Sequence, residues 1–475
     1  MLRSVFTFLV LASVGCSGGD GPASAPAADG ALATSSDAST TQVPALSSWG
    51  VGKVGPDAPN VLVVSLDTVR PDHTSVYGYS RDTTPLLAKV AQQGAVFEQA
   101  YAQAPSTSPT HASMFTGLYP STHGYYSYKF KLASKHVTLA EVLKEAGYRT
   151  FGVASSVKFV ERTGLHQGFD SFERIGGPKN TRSAQVNAHT ISQMKQAGDQ
   201  PFFGFVHYFD AHAPYAAPEP YRHKWHPALS FPKPEWTSRF IKKNRRNRAI
   251  VNPIIASYLA GLYDGELSYL DTFLGEMLDA VPQSNGRSTV VILTSDHGEG
   301  FFEHSYLGHS HVLYEEVIRV PLIVWWPGKV VPGQRLKVPT QTVDIFPTLL
   351  EMVGLPLPQG LEGRSLAKTL LGEAPEPEPV PIFLQSPKFF GLVHDLPTGR
   401  YKLTVRLKNQ KPRLVNLTED PQGKVNLAKT HPAELAAMNA KISSLPFEDP
   451  RGRSVEREHH DASELEELKA LGYIE

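Results

Sequence analysis

Four short stretches of this chain are almost wholly apolar. Three run straight into an aspartate: Asn60-Val-Leu-Val-Val-Ser-Leu-Asp67, Pro201-Phe-Phe-Gly-Phe-Val-His-Tyr-Phe-Asp210 and Thr289-Val-Val-Ile-Leu-Thr-Ser-Asp296. The fourth is Val320-Pro-Leu-Ile-Val-Trp-Trp326. A strand with one face in water alternates apolar and polar residues, whereas a strand covered on both faces reads as a continuous apolar run, as in mainly parallel sheets. Between the runs stand helix signals. Pro85 opens a segment with Leu86, Leu87, Val90 and Ala91 before Gly94, and Thr138 with Glu141 forms a capping box ahead of Val142 and Leu143. Alternating strands and helices predict an α/β fold: a mixed, mainly parallel central sheet sandwiched by helices.

A chain of 475 residues suits one large domain of this kind with a smaller appendage. Near the C-terminus, Arg400-Tyr-Lys-Leu-Thr-Val-Arg406 and Arg413-Leu-Val-Asn-Leu417 alternate well enough to predict an antiparallel pair. Leu465, Leu468 and Leu471 predict a short terminal helix over 464–471 that docks on the body. At the other end, Arg3 precedes an apolar stretch, Val5 to Val14, too short to span a bilayer, and Gly15-Cys16 follows. This is a secretory signal over residues 1–16, and it resembles a bacterial lipoprotein signal with Ser13 in place of the usual leucine. Lipidation of Cys16 would tether the protein in the periplasm or at the outer membrane. Residues 17–56 are a linker, dominated up to Ser48 by Ser, Gly, Ala, Pro, Asp and Thr. Cys16 is the only cysteine, so an intrachain disulfide and a cysteine zinc site are both excluded. Lys+Arg and Asp+Glu are each 46, so no overall field draws the chain to nucleic acid.

Asp67, Asp210, Asp296 and His297 all follow apolar strands, where open α/β sheets place their ligand crevice. Any one such aspartate reads as a turn or cap residue. Three strand ends carrying carboxylates, with an imidazole beside one, instead make an oxygen and nitrogen site for a divalent cation.

At these residues the chain resembles the sulfatase family of the alkaline-phosphatase superfamily. The resemblance rests on seven segments in family order and spacing. These are Ser65-Leu-Asp-Thr-Val-Arg-Pro-Asp-His73, Thr107 to Gly124, Asp210-Ala-His212-Ala-Pro-Tyr215, Ser295-Asp-His-Gly-Glu299, Leu313 to Leu322, Val343-Asp-Ile-Phe-Pro-Thr-Leu349 and Asn416 to Leu427. It implies a sulfatase-like catalytic domain over 57–390, a small C-terminal antiparallel-sheet subdomain with the terminal helix over 391–475, and a metal-dependent ester hydrolase. The metal would sit on Asp67, Thr107, Asp296 and His297. Ca²⁺ is favoured by the resemblance, with Mn²⁺ and Zn²⁺ open because His297 and Thr107 suit both.

The chain departs from that family at three places. Where sulfatases carry Cys or Ser, then Pro two residues on and Arg four on, this chain has Thr107, Pro109 and His111. Threonine bears a methyl group on its hydroxyl carbon, so oxidation to formylglycine has no substrate. Thr68 replaces a second acidic ligand. Thr107 remains a workable nucleophile if a metal lowers its pKa and if Pro109, at the first helical position, leaves it at a helix N-terminus. The competing reading is an ordinary helix cap. His123 matches a position that supports the nucleophile, His212 one that contacts the transferred group or protonates its leaving oxygen, and His309 and His311 fall where many sulfatases grip sulfate with lysine. These histidines either join Asp210 in a second metal site, with His212 and His309 as ligands, or surround one metal as hydrogen-bonding groups.

Three functions follow: hydrolysis of a sulfate or phosphate ester through Thr107, including glycan or lipid esters; phosphodiester cleavage or phosphoryl transfer; and a catalytically silent binding protein. His73, His136 and His304 are read as structural. Arg239 to Arg248 holds six basic residues in ten and reads as a solvated loop, while Trp225 and Trp236 beside it either pack that insertion or line a sugar or aryl pocket.

Overall fold

The apolar runs form the middle of one sheet. The structure, a computed structural model, describes residues 46–126, 130–159, 161–176, 179–226, 238–247, 252–281, 285–443 and 458–459. Cys16, most of the linker, Trp236 and the terminal helix expected over 464–471 lie outside the described residues. The strands of the large sheet are β1 (Asn60–Leu66), β2 (Ala95–Phe97), β3 (Arg149–Ala154), β4 (Ser171–Arg174), β5 (Phe202–Tyr208), β6 (Thr289–Thr294), β7 (Leu322–Trp325) and β8 (Gln334–Leu336). Their order across the sheet is β8-β2-β7-β6-β1-β5-β3-β4. β1 lies parallel to both β5 and β6, and β7 runs antiparallel to β6 and β2. The sheet is therefore mixed and mainly parallel, as expected.

Helices cover both faces, which explains the continuous apolar pattern. Along β1, Val61 and Val63 face a core shared with α2 (Thr107–Thr116), α3 (Leu139–Glu145) and α6 (Ile345–Met352). Leu62, Val64 and Leu66 face the opposite core, built with α1 (Pro85–Gln92), α4 (Lys179–Gln196) and α5 (Pro253–Ala280). α3 begins at the predicted capping box: the Thr138 hydroxyl accepts from the Glu141 amide, and the Glu141 carboxylate accepts from the Thr138 amide.

The C-terminal part is a four-stranded antiparallel meander of β9 (Ile382–Gln385), β10 (Phe389–Leu396), β11 (Gly399–Arg406) and β12 (Lys411–Asn416), backed by α7 (Pro432–Ser443). One face buries Phe383, Phe390, Leu392, Leu403 and Leu414 with Met438 of α7. The other meets the body at Tyr101, Leu313 and Ile318. There the buried Lys402 ammonium donates to Glu315 Oε1 at 2.5 Å and to the Leu313 carbonyl at 2.9 Å. Among the described residues no helix is long and apolar enough to cross a membrane.

Candidate active site

Adjacent parallel strands end at one level, and this convergence brings distant residues together. Asp67 follows β1, His207 lies in β5, and Asp296 with His297 follows β6. All four are buried, at 1% exposure or less. His297 Nε2 lies 3.4 Å from Asp296 Oδ2 and 4.0 Å from Asp67 Oδ1, and His207 Nε2 lies 3.3 Å from Asp67 Oδ2. The His297 Nδ1–H donates to the Gly298 carbonyl at 2.9 Å, which leaves Nε2 to face the carboxylates. Gly298 is needed for this turn, because a Cβ there would collide with the Glu316 carbonyl.

The electrostatics fit a cation. Burial works against charge on His297, yet Asp296 and Asp67 outweigh it and hold the imidazole pKa above its ordinary value. Burial likewise opposes the Asp296 carboxylate, but His297, His111 and His207 bring it down to about 2. The carboxylates that favour a proton on His297 would equally favour a divalent cation beside them. Asp296 Oδ2 is buried without a hydrogen-bond partner, a costly state that a metal relieves. Asp67, Asp296 and His297 are close enough to share one ion.

Thr107 faces this group. Its hydroxyl lies 3.5 Å from His297 Nε2. α2 begins two residues earlier than Pro109 suggested: Thr107 is its first residue and Ser106 precedes it. Proline is tolerated inside the first turn because amides there have no intrahelical partner. The same free amides favour negative charge beside Thr107.

Thr68, in the position of the second acid, has φ 62, an uncommon backbone for a β-branched residue. The Tyr263 hydroxyl, which donates to its carbonyl, and Asp296 Oδ1, which accepts from its amide, hold it there. Its own hydroxyl donates to the Asp67 carbonyl, so its hydrogen is committed away from the rim.

His111 lies inside α2, fully buried against Phe159, Phe205 and the His207 ring. Its Nδ1–H donates to the Thr107 carbonyl at 2.7 Å, and Nε2 accepts from Ser65 at 2.8 Å. Burial pushes it down to about 3, so it is neutral and does not replace the cationic arginine of sulfatases. His123 braces the same helix from below: Nδ1 accepts from the Tyr125 amide and Nε2 meets Ser113 Oγ at 3.1 Å.

His309 stands beside His297, with ring centroids 4.3 Å apart, and its Nδ1–H donates to Glu299 Oε1 at 3.0 Å. His212 lies 5.1 Å from His309, stacks on Phe209, and donates from Nδ1 to the Ala213 carbonyl. Burial, then the neighbouring imidazole, takes His212 down to about 3, and burial likewise lowers His309. Among the described residues, Asp210, His212 and His309 do not form a group able to share an ion. The reason is local: Asp210 accepts from the Ser183 hydroxyl, His212 is turned to its own turn, and His309 to Glu299. His311 is half-buried on the His309 loop and joins no such group.

Several neighbours were missed. Glu299 accepts from both His309 and the Tyr215 hydroxyl. Arg70 ties the loops after β1 and β6 together through Asp72, Glu303 and the Glu299 carbonyl. His207 was hidden inside an apolar strand, where a lone imidazole with no polar neighbour in sequence was the available signal. The described part of the basic segment is a short helix, Ser238–Asn244, with Ile241 buried, rather than a solvated loop. Arg245 then donates to the Tyr306 hydroxyl at 3.1 Å. Trp225 packs on α5 and donates to Ser268 Oγ. His73 and His304 are paired with Asp264 and Glu316.

The family model described as Sulfatase matches residues 59–355, and that described as N-sulphoglucosamine sulphohydrolase, C-terminal, matches 302–444. An ulvan-active sulfatase of Formosa agariphila is 25% identical over 376 residues, covering 72% of this chain and 71% of its own length. An arylsulfatase of Clostridium perfringens is 24% identical over 381 residues, covering 66% and 79%. Among solved structures, a putative sulfatase from Bacteroides thetaiotaomicron superposes with TM-score 0.68 at 21% identity, covering 85% of this chain and 98% of that one. A phosphonate monoester hydrolase of Agrobacterium radiobacter superposes with TM-score 0.66 at 22% identity, covering 81% and 94%.

Proposed function

The chain belongs to the sulfatase family, and from that premise we propose that it hydrolyses a sulfate or phosphate ester, with unmodified Thr107 as nucleophile beside a divalent cation held by Asp67, Asp296 and His297. The observation that carries this reading is the Thr107 hydroxyl, at a helix N-terminus and 3.5 Å from the His297 nitrogen that faces both carboxylates. A cation there supplies the charge that lowers the hydroxyl pKa and offsets negative charge on the transferred group. Thr107 Oγ1 gives its proton to solvent and bonds to the central sulfur or phosphorus as the bond to the leaving oxygen breaks, and the free amides of α2 stabilise the ester oxygens. The His111 Nδ1–H bond holds the Thr107 carbonyl in the first turn of α2, and His123 braces Ser113 farther along the helix. Burial favours the neutral forms of His212 and His309, and the charge of an ester group would favour their protonated forms at the moment the leaving oxygen needs a proton.

Threonine chemistry favours phosphorus as a second, narrower reading. A hydrated aldehyde expels its ester group by collapsing back to the aldehyde. Thr107 has one hydroxyl, so water must attack the central atom of its ester, as in phosphatase turnover. The likeness in fold to a phosphonate monoester hydrolase agrees with this reading. The substrate is a small-molecule or glycan ester, and glycan sulfatases among the relatives support the second class. The test is product release from aryl sulfate, aryl phosphate, phosphodiester and phosphonate substrates with added Ca²⁺, Mn²⁺ or Zn²⁺. Mass analysis of quenched enzyme should find the transferred group on the peptide containing Thr107. A label on another residue would move the mechanism to direct attack by water.

Export and tethering through Cys16 complete the proposal. A Cys16→Ser form should appear in the soluble periplasmic fraction, and one that stayed wholly membrane-bound would argue against the lipid anchor.

A further inference from the structure

His207 is fully buried, its Nδ1 has no hydrogen-bond partner, and its Nε2 makes no hydrogen bond but lies 3.3 Å from Asp67 Oδ2. It shares an aromatic box with His111, 5.4 Å away between ring centroids, and with Phe159 and Phe205. A box of this kind is satisfied by phenylalanine. An imidazole placed there without hydrogen-bond partners forfeits its hydrogen bonds to water, a cost that needs a compensating interaction. Asp296 Oδ2 is a third buried polar atom without a partner. Ligand atoms of His111, His207 and Asp296 all lie within 4.8 Å of one another. His111 has its Nδ1–H committed to the Thr107 carbonyl, so Nε2 is its available lone pair, held now only by the rotatable Ser65 hydroxyl.

We propose that His111, His207 and Asp296 form a second cation site, next to the Asp67, Asp296 and His297 position and sharing Asp296 with it. Two imidazoles and one carboxylate are the donor set of zinc sites that keep a fourth position open, and a hard cation such as Ca²⁺ prefers an all-oxygen shell. The ion is therefore of the Zn²⁺ class. The backbone carbonyl bond at His111 Nδ1 is the kind of outer contact that fixes the tautomer of a metal-binding imidazole. This site takes the place of the Asp210, His212 and His309 grouping read from the sequence. It also gives His111 a task distinct from that of the arginine it replaces.

The test measures metal content rather than turnover. The full mature chain is stripped with chelator, titrated with Zn²⁺ calorimetrically, and assayed by elemental analysis after desalting. Wild type should hold about one equivalent of Zn²⁺ beyond the ion at Asp67 and His297, and His207→Phe should lose that equivalent alone. Asp67→Asn should keep an ion that the Asp67→Asn, His207→Phe double variant loses, which separates this site from the first. With Co²⁺ in place of Zn²⁺, the visible absorption of the wild type should change on loss of His207. If His207→Phe fails to fold, His207→Asn answers the same question. Wild type holding a single ion that His207 substitution leaves in place would overturn the proposal, as would a His207→Phe chain that still binds both.

Discussion

The two sides of the pocket around Thr107 use the same kinds of side chain in opposite ways. On the strand-end side, Asp296 Oδ2 and both nitrogens of His207 are buried without hydrogen-bond partners. On the loop side, His212 and His309 are each pinned through Nδ1, to the Ala213 carbonyl and to Glu299, and Glu299 is held in turn by Tyr215. The first side keeps lone pairs in reserve, as a cation site requires. The second commits the Nδ1 edge of each ring to the protein, which fixes how the two rings are turned. A pocket that handles anionic esters needs both kinds.

The comparison can be broken in four ways, from the largest effect on turnover to the smallest. Thr107→Ala should lower turnover by about 10³-fold or more while melting temperature and bound metal stay close to wild type. A near-normal rate would remove Thr107 from the chemistry. Asp296→Ala takes a carboxylate from the strand-end side; elemental analysis should show loss of metal, with turnover down on the order of 10²-fold. Full metal and activity would defeat the cation reading of that side. Glu299→Ala removes the acceptor that pins His309 and leaves the strand-end carboxylates in place. It should cost roughly 10-fold in turnover with metal content unchanged, and an effect on metal content instead would merge the two sides into one. Leu403→Ala, in the meander core, should leave kcat and metal alone but destabilise the fold by about 2–5 kcal/mol in denaturant titration. A change in kcat would couple the meander to the pocket.

The strand-end side was far more legible in the sequence than the loop side. A strand buried on both faces has only its end on which to carry chemistry, so Asp67, Asp296 and His297 announced themselves as the polar stops of apolar runs. His207 escaped because it sits within such a run, one residue before the last of β5. The partners of His212 and His309 are a backbone carbonyl and a carboxylate ten residues away, set by loop paths that periodicity does not describe. The same limit applies to the sheet. A run that is apolar on both faces reads alike in either direction, so the antiparallel course of β7 had no sequence mark.

The position of β1 has a consequence in time. It is the earliest strand of the sheet to be synthesised, yet its neighbours on both sides come late. Asn60 accepts from the Phe202 amide 142 residues on and donates to Thr289, 229 residues on. Pairings that close such long stretches form slowly. Half a chain therefore holds no half-built pocket: until β6 has docked, Asp67 and Thr107 face nothing that could grip an ion or an ester. A cation held by Asp67, Asp296 and His297 would be a late guest in a finished socket rather than a template for folding. A nascent chain that stalls before residue 289 is inert, not partly active.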